Sequence, residues 1–145
     1  MNKNQQKMVH YSNVMNAVMS GTEEEQNRLS PKFTALRKAI DDKQLTEFDA
    51  GEYTSTHELF TAGTAHYAEL LAQLEATMPP ARFIGTHKRL ISAYRDFVAG
   101  CEAMTASLGD TPADLDQPAF DAAEKAQDDA TEHILTQLSK ITRLA

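Results

Sequence analysis

Residues 84 to 108, IGTHKRLISAYRDFVAGCEAMTASL, constrain the fold more than any other stretch of the chain. After His87, apolar residues recur at Leu90/Ile91, Tyr94, Phe97/Val98, Cys101, Met104 and Leu108, alternately three and four apart. That spacing draws a single apolar stripe down a helix of about seven turns. Such a stripe is stable in water only when other helices cover it, so the segment reads as the central staple of a helical bundle.

The remaining segments supply the covering helices. Met8, Tyr11, Met15 and Val18 fall at helical spacing, and the same register continues at Leu29, Phe33, Leu36 and Ile40. Two punctuation signals interrupt it. Gly21 precedes Thr22-Glu-Glu-Glu25, which fits a T-x-x-E capping box, and Ser30-Pro31 is a second restart signal. We therefore expect two nearly collinear helical pieces, kinked or broken somewhere between Gly21 and Pro31. Asp41 to Leu45 reads as a tight connection with Thr46 as the next cap. Tyr53, Phe60, Tyr67 and Leu74 then recur at seven-residue steps until Pro79-Pro80 ends the helix. Thr86 is the expected cap of the helix that follows. Gly109 to Pro112 stops that helix, and an acidic loop leads to a last one from about Ala119 to Arg143. Its stripe is Phe120, Ala123, Gln127, Ala130, Ile134, Leu138 and Ile141, Ala-rich in its first half and so suited to close packing. Nothing alternates with a period of two, and no repeat or low-complexity segment is present. The expectation is all-α: an antiparallel up-and-down four-helix bundle forming one domain over residues 1–145.

Composition narrows the function classes. A net charge of −7 opposes general nucleic-acid binding, which needs a basic surface to neutralise phosphates. The first residues, MNKNQQKMVHYSN, lack the apolar core of a signal peptide, and no run approaches the length of a membrane span. A cytoplasmic protein is the default expectation, with leaderless export left open. The one cysteine, Cys101, admits no intramolecular disulfide. It lies on the core stripe between Phe97 and Met104 beside Glu102, where a thiol is a small buried apolar residue rather than a nucleophile.

Several chemistries fail on spacing. A di-metal carboxylate bundle needs Glu-x-x-His pairs projecting inward, and no Glu stands three residues before any of the five histidines. The reversed pair His66-x-x-Glu69 points its carboxylate outward in the register set by Tyr67. His57 and His66 are about half a turn out of phase. Histidine phosphotransfer needs an exposed His followed closely by Lys and Gly, and neither His57-Glu-Leu-Phe-Thr-Ala-Gly nor His87-Lys-Arg-Leu-Ile-Ser provides both at the required offsets. No nucleophile elbow, phosphate-binding loop or metalloprotease motif is found. Gly63 and Gly100 lie inside predicted helices, where they suit close helix approach. We assign no catalytic residue, no metal ligand and no cofactor.

One charge pattern remains. Lys88 and Arg89 occupy the first turn of the predicted third helix, just after Arg82, although cations are disfavoured at a helix start. In an up-and-down bundle, that end also collects Lys3, Lys7, Lys140 and Arg143, which with Arg82, Lys88 and Arg89 makes seven of the 14 basic residues. The other end collects Asp41, Asp42, Glu47, Asp49, Asp110, Asp114, Asp116 and Asp121. Arg82, Thr86, Lys88 and Arg89 are thus candidates for an anion- or partner-docking site. The competing reading has these cations offsetting the carboxyl ends of the second and fourth helices.

The run His87-Lys-Arg-Leu-Ile-Ser-Ala-Tyr-Arg-Asp-Phe-Val-Ala-Gly-Cys101, with Gly21-Thr-Glu-Glu-Glu25 and Ala122-Ala-Glu-Lys-Ala-Gln-Asp-Asp129, resembles small all-helical proteins of lactic acid bacteria. That group carries no assigned activity, so the resemblance implies a compact bacterial helical domain and no site. In size, acidity and helicity the chain is also similar to WXG-type secreted hairpins, but it has no Trp and so lacks their motif. The leading functional expectation is a non-enzymatic binding or interaction protein, acting on an unknown protein partner or on itself. One alternative is a small-ligand or enzymatic site inside the bundle, drawing on Tyr11, Tyr53, Tyr67, Tyr94 and His87. Another is an exported or surface-associated module.

Overall fold

The computed structural model describes residues 1–144. Four helices follow one another: α1 (Lys3–Asp41), α2 (Ala50–Ala76), α3 (Ile84–Leu108) and α4 (Gln117–Leu144). Short 3-10 turns at Leu45–Glu47, Ala81–Phe83 and Pro112–Asp114 occupy the three connections. Successive helices reverse direction and pack side by side, which makes the molecule an all-α four-helix bundle. Among the described residues there is no strand, and no helix is long and apolar enough to cross a membrane.

The first helix differs from expectation in one respect. It is continuous for 39 residues, through both Gly21 and Pro31. Thr22 caps nothing: its hydroxyl donates to the Val18 carbonyl 2.8 Å away, one turn back in the same helix. Glu25 is likewise no capping residue, since it is buried at 2 % exposure. Tertiary packing of Tyr11, Met15, Val18, Leu36 and Ile40 holds the register across the two breaker signals. The caps also move. Asp49, not Thr46, starts α2, its carboxylate accepting the Glu52 N–H at 2.9 Å. Phe83 stands at the N-cap of α3, while Thr86 is buried in its first turn. Asp116 accepts the Ala119 N–H at 3.1 Å and so opens α4. Gly109, at φ 65°, ends α3 in the left-handed region that favours glycine.

α3 is the centre of the bundle, with its closest neighbour α4. A Cβ at Gly100 would stand 2.9 Å from Gln127 Cγ and 3.3 Å from the Gln127 backbone nitrogen, so glycine is what lets the two backbones approach. Gly63 on α2 instead makes room for a side chain of α1, with Leu29 Cδ1 2.7 Å from the position its Cβ would take. By contrast, α1 and α4 approach each other least among neighbouring helices, and the seam between them is where the bundle opens. The core divides into two clusters along the axis. One is built around Tyr11, Tyr67, Phe83, Leu90 and Tyr94, the other around Leu36, Tyr53, Phe60, Leu108 and Phe120.

Candidate functional site

The open seam leads to a cleft of about 370 Å³ at the junction of the two core clusters. Its walls come from all four helices. Leu29 and Phe33 of α1, Phe60 and Tyr67 of α2, and Phe97, Cys101 and Met104 of α3 form an apolar floor. Gln26 and Ser30 on α1 face Gln127, Asp128 and Thr131 on α4 across the mouth. On the far side, Thr64 Oγ1 and Thr105 Oγ1 lie 3.4 Å apart across the α2–α3 seam. Leu29 and Phe33 belong to the core register of α1 yet stay half-buried, because the face they cover is the cleft.

The four tyrosines are all buried, and their hydroxyls separate structure from site. The Tyr11 hydroxyl meets His87 Nδ1 at 2.8 Å, and His87 Nε2 meets the Leu74 carbonyl at 2.9 Å. A carbonyl can only accept, so Nε2 carries the proton and Nδ1 takes the Tyr11 O–H. Tyr94 O–H meets Thr22 Oγ1 at 2.7 Å, while that hydroxyl spends its own proton on Val18. Tyr53 donates to the Leu108 carbonyl. Tyr67 is the exception. At 2 % exposure it has no hydrogen-bond partner among the described residues, and it lines the cleft. Among the described residues no fully enclosed side-chain polar atom lacks a partner, so the Tyr67 oxygen is not sealed from solvent, and the side chain that carries it lines the cleft. Its ring is fixed edge-on against Phe97, with centroids 4.9 Å apart. Burial, together with nearby Cys101, Glu25 and Tyr94, pushes its pKa up from 10.0, so the phenol stays a proton donor.

Cys101 contributes a thiol to the same floor. Burial, with a smaller push from Glu102, raises its pKa to about 12, which leaves it protonated and a poor nucleophile. Next to the mouth the seam continues as a shallow groove lined by Phe33, Arg37, Asp41, Asp121, Glu124, Gln127 and Asp128. Arg37 reaches Asp41 at 2.7 Å, Asp121 at 2.7 Å and Glu124 at 3.8 Å. Hydrogen bonds to Asp41 and Asp121 hold its guanidinium pKa above the ordinary value and pull that of Asp41 down. Burial raises Glu124, and Asp128, Asp121 and Asp41 push it further against the opposing pull of Arg37. Asp128 has no ion-pair partner among the described residues and borders both cleft and groove.

Of the residues suggested by sequence for an interior site, the cleft takes Tyr67 alone. Tyr11, Tyr53, Tyr94 and His87 hold the helices together instead. At the basic end, the Arg89 guanidinium lies 3.4 Å from both Thr86 Oγ1 and the Gln137 side chain of α4. Arg82 turns the other way, against the Phe83 ring at 5.1 Å and the Met8 sulfur at 3.9 Å on α1. Lys88 is exposed. The structure therefore joins Thr86 to Arg89 and sends Arg82 and Arg89 toward different helices. No group of three or more His, Cys, Asp or Glu among the described residues is placed to hold a metal ion. His66 faces α1, its Nδ1 2.7 Å from buried Glu25, which Arg28 also reaches at 2.8 Å. One sequence signal for the cleft existed in Gln127, a polar residue on the core stripe of α4, whose amide donates to the Gly100 carbonyl at 3.1 Å. No protein-family model, curated protein or solved structure matches the chain.

Proposed function

We propose that this bundle is a non-enzymatic binding protein whose site is the cleft between α1 and α4. The ligand is a small molecule with an apolar or aromatic body and a hydrogen-bond acceptor at its inner end. The observation that carries this reading is the Tyr67 hydroxyl, fixed among apolar walls and lacking a protein partner. A donor that no protein group occupies, on a side chain lining a pre-formed cleft, offers a ligand an orienting hydrogen bond. The volume of about 370 Å³ lies within the roughly 300–1,000 Å³ typical of small-molecule sites. Met104 and Phe97 supply adaptable and aromatic contact area. The absence of a paired acid and base or an activated nucleophile along the walls favours binding over catalysis.

The test is a fragment screen read by NMR on the Met104 methyl and the Tyr67 ring. Small aromatic fragments bearing a carbonyl should perturb both resonances. Thr131→Phe, which fills the mouth, should abolish both effects while leaving the helical content intact. If no fragment perturbs these resonances in the wild-type protein, the cleft is not a binding site.

A further inference from the structure

We infer that the ligand of this cleft is a cation, an amphipathic amine whose apolar body lies on the aromatic floor and whose ammonium group sits at the mouth beside Asp128. This rests on the reading of the cleft as a small-ligand site and adds the charge of what enters it. Two independent features meet there. The first is Tyr67, a buried side chain lining the cleft whose hydroxyl has no hydrogen-bond partner among the described residues. The second is the imbalance at the outer end, where one guanidinium, Arg37, stands among the carboxylates of Asp41, Asp121, Glu124 and Asp128.

Arg37 is already committed. Its donors go to Asp41 and Asp121, and its guanidinium lies 5.5 Å from the centre of the Phe120 ring. That leaves Glu124 at 3.8 Å, while Lys125, one turn before Asp128, pairs with Asp129 at 2.9 Å, so Asp128 has no ion-pair partner among the described residues. Asp128 is also the carboxylate that borders the apolar cleft itself, next to Gln127 and Thr131. A bound ammonium there would give Asp128 the ion-pair partner it lacks and reduce the repulsion that the neighbouring carboxylates impose on Glu124. An anionic ligand would meet the same carboxylates as an obstacle. The low-dielectric aromatic wall beside the mouth strengthens the attraction over that of a free surface pair. Phe33, half-buried between cleft and groove, offers a ring to the same cation.

The experiment compares three probes with one carbon skeleton and an inner carbonyl for Tyr67, 4-(4-acetylphenyl)butylamine, 4-(4-acetylphenyl)butan-1-ol and 4-(4-acetylphenyl)butanoate, using NMR shifts of the Met104 methyl and the Tyr67 ring. At low ionic strength the amine should bind about tenfold more tightly than the alcohol, and the carboxylate more weakly than either. Asp128→Asn should bring amine and alcohol to within about twofold of each other, as should salt near 1 M. Asp128 is exposed on α4, so this variant is expected to fold normally. If the wild-type protein binds amine and alcohol equally while Met104 still responds, the charge inference is overturned and the cleft reading stands. Should the amine preference survive in Asp128→Asn, the assignment of the ammonium to Asp128 is overturned. If none of the three probes moves the Met104 methyl or the Tyr67 ring, the cleft reading itself loses its support.

Discussion

The hydroxyl of Tyr11 and Nδ1 of His87 lie 2.8 Å apart, in a bond that joins α1 to α3 with both side chains buried. His87 continues the connection to α2 through the Leu74 carbonyl. Three helices thus share one buried polar chain at the end of the bundle where α1 begins. Such a chain is stabilising only while every member is satisfied.

The first prediction concerns that chain. Tyr11→Phe leaves Nδ1 without a donor in apolar surroundings, and should lower unfolding free energy by about 1–3 kcal/mol. His87→Leu removes the acceptor and the link to Leu74 together. In a double-mutant cycle by urea denaturation, the two losses should fall short of additivity by roughly 1 kcal/mol or more. Strictly additive losses would mean that the bond contributes nothing specific.

Tyr67→Phe should behave differently from the other tyrosine truncations. It removes a hydroxyl that makes no protein hydrogen bond, so stability should change by less than about 0.5 kcal/mol. Tyr94→Phe, which breaks the 2.7 Å contact with Thr22, should cost about 1 kcal/mol. Fragments with a carbonyl should lose affinity for Tyr67→Phe while their deoxygenated counterparts do not. A loss of stability equal to that of Tyr94→Phe would show that the Tyr67 hydroxyl is already satisfied.

Pro31 lies exposed inside α1, where it supplies no N–H to the carbonyl four residues earlier. Pro31→Ala restores that bond and touches no core contact, so it should stabilise the protein by about 1–3 kcal/mol in thermal or urea unfolding. Unchanged stability would mean that the helix accommodates proline here at no cost.

That proline also marks the limit of what could be read from sequence. The four helices, their order and most of their buried positions follow from apolar spacing, since Tyr11, Tyr53, Phe97 and Ile134 all occupy the predicted stripes. Local breakers misled at Gly21 and Pro31, because long-range burial on both sides of them outweighs a helix-terminus preference worth about 1 kcal/mol. Glu25 was hidden for the same reason. A T-x-x-E pattern describes a cap, whereas the burial of that carboxylate depends on His66, 41 residues away. The cleft was less legible still. Leu29, Phe33 and Met104 look like ordinary core, and only the spacing between α1 and α4, a tertiary property, leaves their surfaces uncovered. Tyr67 could be named as a candidate, but which of four buried tyrosines would lack a partner is decided by contacts across helices.

Alkaline titration gives a prediction with a definite sign. Burial raises Cys101 from 9.0 to about 12, and Tyr11, Tyr53 and Tyr94 each from 10.0 to about 12. These groups hold their protons more tightly folded than unfolded. Their contribution to stability is therefore complete below the unfolded pKa values and is lost as pH rises through the folded ones. The urea midpoint should stay flat from neutral pH to about 9, then fall steeply toward 12. Phenolate absorbance should appear together with loss of helical circular dichroism. Ionisation of these tyrosines near their ordinary value of 10.0, with the helices intact, would contradict the burial described here.

Gly100 sets the distance between α3 and α4 and, through Gln127, the shape of the cleft mouth. A methyl group there would face Gln127 Cγ at 2.9 Å, its backbone nitrogen at 3.3 Å and the Ala123 carbonyl oxygen at 3.5 Å. The side-chain carbon can turn aside, but the backbone atoms move only if α4 moves with them. Gly100→Ala should thus destabilise by about 1–3 kcal/mol, outweighing a gain of up to about 1 kcal/mol in helix propensity. Gly85→Ala is the control, since its added carbon would meet only the Arg89 guanidinium, no closer than 3.7 Å. That variant should be neutral or stabilising by a few tenths of a kcal/mol. Because Gln127 would be displaced, Gly100→Ala should also weaken fragment binding, whereas Gly85→Ala should leave it unchanged. Equal stability effects of the two substitutions would show that close approach of α3 and α4 does not depend on the missing side chain.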